Sequence, residues 1–154
     1  MTTLAQQQAA LTAALVGQAT VPPGFDADRV RAAADALAFK RARAVLHAWP
    51  GLRTSLADTF RAHFAAYAAA HPIPALGGPL ADGRAFVRHL VRTVAVSDEI
   101  RLQALALDAS YRSTRAGLVR RRVRVPRLAW LPGARGIALA FGDRIYRFAF
   151  ARAR

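Results

Sequence analysis

Large apolar residues along the first two thirds of the chain recur every three or four positions, the period of a helix with one buried face. Leu4, Leu11, Leu15 and Val16 predict a first helix, with Thr2 or Thr3 as its cap and Gly17 as its stop. Val21-Pro22-Pro23-Gly24 interrupts the pattern, because proline lacks an N–H and restricts the residue before it. Asp26 and Asp28 place negative charge at the start of the longest predicted helix, which runs through Val30, Ala33, Leu37, Ala44, Val45 and Ala48. Trp49-Pro50-Gly51 ends it, and Pro50 can open the next helix, where a missing N–H costs nothing. Leu52, Leu56, Phe60, Phe64 and Tyr67 then draw one apolar stripe, read as core and bounded by His71-Pro72. After an irregular Pro/Gly-rich connection, Asp82 is the expected N-cap of a helix carrying Phe86, Val87, Leu90, Val91 and Val94. Ser97-Asp98-Glu99 starts a further helix with Ile100, Ala104, Leu107 and Tyr111 facing inward.

Beyond Ser113, Thr114 and Gly117 the period changes from helical to alternating. Val119, Val123 and Val125 form one apolar alternation, Ile137, Leu139 and Phe141 a second, and Ile145, Phe148 and Phe150 a third. Gly142-Asp143 fits the two-residue loop of a final hairpin, and Pro126 marks the first segment as an edge strand or a broken one. By alternation Phe148 and Phe150 are expected to pack inward. The predicted fold class is α+β: a bundle of about five helices over residues 1–111, then an antiparallel sheet of about three strands over residues 112–154, packed on it.

A chain of 154 residues suffices for one compact core, and 54% hydrophobic residues argue for a globular fold. It has no cysteine, which removes disulfides, thiolate metal sites and cysteine nucleophiles and suits a cytoplasmic protein. No apolar run reaches the length of a membrane span, and the start of the chain lacks the basic opening of a signal peptide, so no membrane partner is expected.

Charge adds what periodicity cannot. The net charge is +14, and residues 112–154 hold twelve arginines against the single acid Asp143. Arginine outnumbers lysine 22 to one, which a GC-rich coding bias can explain, but bias does not explain where the charges fall. Arg120, Arg121, Arg122, Arg124 and Arg127 lie within eight residues. In an extended strand Arg120, Arg122 and Arg124 would share one face and Val119, Val123 and Val125 the other. Arg144 and Arg147 follow in the hairpin, on opposite faces by parity. These seven arginines are the candidate peptide- or anion-binding residues, weighed against a plain solvated face that keeps the protein soluble.

Catalytic chemistry finds little footing. His47, His63, His71 and His89 lack the paired spacing with glutamate that zinc enzymes use, so no metal is expected. Glu99 is the only glutamate, and most aspartates sit at helix starts, in turns or beside arginines, where capping explains them. Gly77-Gly78-Pro79 and the segment from Gly133 to Gly136 read as turns, not phosphate loops, and no serine has a nucleophile-elbow context. The expectation is a protein that is not an enzyme and carries no cofactor.

The pattern Arg43-x-x-Leu46-x-x-Trp49-Pro50-x-Leu52, then Phe60, Phe64 and Tyr67, Pro72, Phe86-x-x-x-Leu90 and Leu107-Asp108 resembles the helical region of the HvfC/MbnC-type proteins. These are small partners of multinuclear iron-dependent oxidative enzymes that modify ribosomally made peptides. The resemblance covers roughly residues 25–111. It implies a non-catalytic companion in a hetero-oligomer, binding an acidic precursor peptide and presenting it to an iron-dependent enzyme. The same helical region was long described as DNA-binding, which makes nucleic acid the alternative partner. No residue-by-residue match extends to the basic tail. Peptide recognition there rests instead on an edge strand that can accept an added strand, with arginines that can grip carboxylates.

Overall fold

The computed structural model describes residues 3–16, 19–142 and 144–150. Its helices are α1 (Leu4–Leu15), α2 (Ala27–Ala48), α3 (Pro50–Leu56), α4 (Phe60–Ala70), α5 (Gly78–Thr93) and α6 (Asp98–Ser110), with a 3-10 turn at Ala57–Thr59. Five strands follow: β1 (Tyr111–Thr114), β2 (Gly117–Arg120), β3 (Arg127–Leu131), β4 (Gly136–Phe141) and β5 (Arg144–Ala149). The class is α+β as expected, with two antiparallel sheets where one was anticipated: a β1–β2 hairpin and a sheet of order β3-β4-β5. No helix among the described residues is long and apolar enough to cross a membrane.

The helix starts follow their capping chemistry. Thr3 and Gln6 form a reciprocal capping box on α1. The Asp26 carboxylate accepts from the Asp28 and Arg29 amides at the head of α2, and the Ser97 hydroxyl caps α6. The expected stop at Gly17 and the loop residue Asp143 lie outside the described residues.

The aromatic stripe is core, but it is not one helix. Ala57 has φ 41°, which breaks the run into α3 and α4, yet Leu52, Leu56, Phe60, Phe64 and Tyr67 all remain buried. Phe86 sets its ring edge-on to Phe60 and Phe64 at 5.8 and 5.1 Å between centroids. Trp49, fully buried at the α2–α3 corner, donates its indole N–H to the Leu80 carbonyl at 3.1 Å. Gly83 lies against the Trp49 ring so closely that a Cβ there would sit 2.2 Å from Cδ1.

Two further expectations fail in the helical body. Asp82 is not an N-cap: α5 begins at Gly78, so Asp82 lies in its second turn, 2% exposed and facing Arg41. Tyr111 does not continue α6 but starts β1.

The sheet attaches through α6, which serves two cores. Ile100 and Ala104 belong to the helical one, while Leu105 and Ala109 pack with Leu131, Ala138 and Ala140. Asp98, at the first turn of α6, also accepts the Gly133 and Ala134 amides of the β3–β4 turn at 3.2 and 2.7 Å. The β1–β2 hairpin is held from the other side, where Leu76 donates to the Ala116 carbonyl and accepts from the Leu118 amide. A side chain at Gly117 would collide with the Leu76 carbonyl, so that bridge requires glycine.

Candidate recognition surface

The strand predicted from Val119 through Val125 ends at Arg120. Tyr111, the first residue after α6, pairs with Arg120, so β2 has no partner beyond that point. Residues 121–126 therefore run without regular pairing, and Val123 is 72% exposed rather than packed. Arg122 and Arg124 are exposed but do not extend a strand face from Arg120.

The seven candidate arginines separate by role. Arg121 is structural: its amide donates to the Ser110 carbonyl at 2.8 Å, and its Nε lies within hydrogen-bonding distance of the Asp108 and Tyr111 carbonyls at 3.0 and 3.1 Å. It thereby places positive charge at the carbonyl end of α6, where the helix dipole favours a cation. Arg127 is half-buried opposite Ala140, and its Nε is buried without a hydrogen-bond partner among the described residues. Arg120, Arg122, Arg124, Arg144 and Arg147 are exposed. The Arg124 stem lies beside Gly142, so it reaches the β4–β5 turn. Arg144 and Arg147 do lie on opposite faces of β5, as parity requires. Only part of the arginine cluster is thus left exposed.

The largest departure from expectation is the orientation of the three-stranded sheet. In β4 the small residues Gly136, Ala138 and Ala140 are buried, which lets the strand lie close to α6. The large residues Ile137, Leu139 and Phe141 therefore point the other way. Their pairings bring Leu128, Trp130, Tyr146 and Phe148 to the same outer face. Trp130 is 52% exposed and Phe148 51%, and Phe150, also exposed, stacks on Trp130 at 6.0 Å. Phe148 and Phe150 thus face solvent instead of packing inward. The signal was present in the sequence: where large and small residues alternate, the small ones can mark the side that meets a helix.

Among the described residues both outer strands of this sheet are edges. The Phe150 amide donates to the Arg135 carbonyl, toward β4, so by alternation the backbone groups of Ile145, Arg147 and Ala149 point outward from β5. A separate open cleft of about 370 Å³ lies between the α4–α5 connection and the β1–β2 hairpin, with Arg88 and Arg115 among its lining residues and Leu118 at its apolar side.

Two ion pairs tie polar groups of the helical body together internally. Arg41 grips Asp82 through two bonds of 2.8 Å and donates to the His71 carbonyl at 3.0 Å. Burial alone would lower the Arg41 pKa, but the hydrogen bond and charge of Asp82 outweigh it and hold the pKa above the ordinary arginine value. The Tyr67 hydroxyl donates to Asp82 at 3.3 Å, and burial, reinforced by the Asp82 charge, pushes its pKa well above the usual tyrosine range. Arg84 and Asp108 form a second two-pronged pair at 2.9 and 2.6 Å, linking α5 to α6. Sequence reasoning missed both pairs.

Residues 5–92, which span α1 to nearly the end of α5, match the family described as SCO6045-like, C-terminal domain. A UPF0276 protein of Streptomyces avermitilis is 44% identical over 88 residues, covering 57% of this chain but 18% of that protein. The chain thus aligns with less than a fifth of that relative. No solved structure matches. Helix α6 and both sheets lie beyond the family match.

Proposed function

We propose that this chain, which belongs to the SCO6045-like, C-terminal domain family, is a non-catalytic partner subunit that binds a precursor peptide and presents it to an iron-dependent peptide-modifying enzyme. The observation that carries the reading is the sheet: an open edge strand, β5, bearing Arg144 and Arg147 beside an uncovered apolar face. An extended peptide can pair with such an edge through its backbone, while arginines attract its carboxylates. The relative adds a second line of support, because there the homologous segment is a minor part of a much larger protein. A module found in one chain with a larger body is suited to docking on such a body. The helical body then serves the enzyme and the sheet the peptide.

Co-expression with a neighbouring iron-dependent enzyme should yield a complex that survives gel filtration at physiological salt; clean separation of the two would count against the reading. Single-stranded nucleic acid is the second reading, favoured by one observation, the outward aromatic rings of Trp130, Tyr146, Phe148 and Phe150. It requires binding that weakens with salt by a log-log slope of roughly −0.7 per phosphate neutralised.

A further inference from the structure

An antiparallel sheet with one solvated face normally carries polar residues there. The β3–β4–β5 sheet instead presents large apolar side chains on its outer face while its inner face packs on α6 through β3 and β4. It is built like the middle layer of three, with one layer present. Leu128 pairs with Leu139 and Leu139 with Tyr146, while Trp130 pairs with Ile137 and Ile137 with Phe148, which makes two continuous apolar rows across the strands.

We infer that this outer face seats an amphipathic helix of a partner polypeptide, with apolar residues against the sheet and acidic residues at its margins; the inference rests on the peptide-presenting role proposed above. The dimensions fit one helix. Three strands span about 10 Å, close to the diameter of a helix, and six residues of strand extend about 20 Å, the length of roughly 13 helical residues. The layer already in place, α6, is a helix of 13 residues.

Charge selects the occupant. Arg144 stands on the apolar face itself, opposite Phe141, and Arg124 lies at the adjoining turn. A second copy of a chain of net charge +14 would bring like charges together at this margin. A nucleic-acid strand stacks successive bases on neighbouring aromatic rings along a basic groove, whereas Leu128, Ile137 and Leu139 separate the rings here. An acid-flanked apolar helix meets both features.

The two tryptophans make the test direct, because Trp49 is fully buried and Trp130 is exposed. The probe is a synthetic helix of roughly 13 residues with leucines at i, i+3, i+4 and i+7 and glutamates elsewhere. Its scrambled counterpart and an oligothymidylate are the comparison ligands. Binding should shift Trp130 emission to the blue, and Leu128→Ser combined with Phe148→Ser should weaken affinity at least about tenfold. Circular dichroism checks the fold, and Leu139→Thr, which keeps strand propensity, supplies a milder variant should the pair unfold.

Binding that ignores these substitutions, or equal binding of the scramble, overturns the inference. So does tight oligothymidylate binding lost in the same variants, or a dimer of the protein alone that they dissociate. The titration needs no enzyme. Its failure while the enzyme still co-purifies sinks this inference alone, and failure of co-purification with the titration intact sinks only the role on which it rests.

Discussion

Arg41 and Asp82 lie 41 positions apart in sequence, yet they form the most buried ion pair among the described residues, with side chains 11% and 2% exposed. Nothing local announces such a partner, which is why an aspartate shortly after a Pro/Gly-rich connection reads as a cap. Asp82→Ala would leave the guanidinium buried without its carboxylate. The expected loss is about 3–5 kcal/mol of unfolding free energy, measured by urea denaturation. Tyr67 adds a pH dependence. Its pKa is higher folded than unfolded, so above the ordinary tyrosine value of 10.0 the unfolded chain releases a proton that the folded one keeps. Stability should therefore hold below that pH and fall as pH rises past it. Tyr67→Phe should flatten that part of the decline in urea unfolding followed from pH 9 to 11, a window set about the unfolded tyrosine value.

At the level of elements, periodicity was legible and orientation was not. The stripe from Leu52 to Tyr67 identified core residues despite the break at Ala57, because burial follows the apolar positions even where the helix is reset. Alternation likewise located β4 and β5, but size assigned their faces: Ala138 and Ala140 meet α6, and the aromatics do not. Two substitutions separate the faces. Ala138→Leu forces bulk between sheet and helix and should cost about 1–3 kcal/mol. Leu128→Ser, on the outer face, should change stability by about 0.5 kcal/mol or less. Paired thermal melts of the two variants check the contrast. The strand foreseen through Val125 failed for a topological reason, since α6 runs directly into β1 and leaves β2 nothing to pair with past Arg120.

Across the whole molecule, the excess charge read from composition resolves into structural and exposed arginines. Arg121 ties the end of α6 to the hairpin, so Arg121→Ala should lower the melting temperature. Arg120, Arg122 and Arg124 make no ion pair among those described, and replacing all three with alanine should leave the fold intact. At about 0 to 1 kcal/mol each, their joint loss should weaken binding of an acidic peptide by roughly tenfold in a calorimetric titration. The helical body carries the family match, whereas the sheet, joined through α6, carries the exposed apolar face. In the proposed function the body contacts the enzyme and the sheet the peptide. Amide hydrogen exchange on the co-expressed complex, before and after adding the acidic precursor peptide, tests that division most directly. New protection across β3, β4 and β5 is the predicted result, and protection confined to α1–α5 with the sheet unchanged would contradict it.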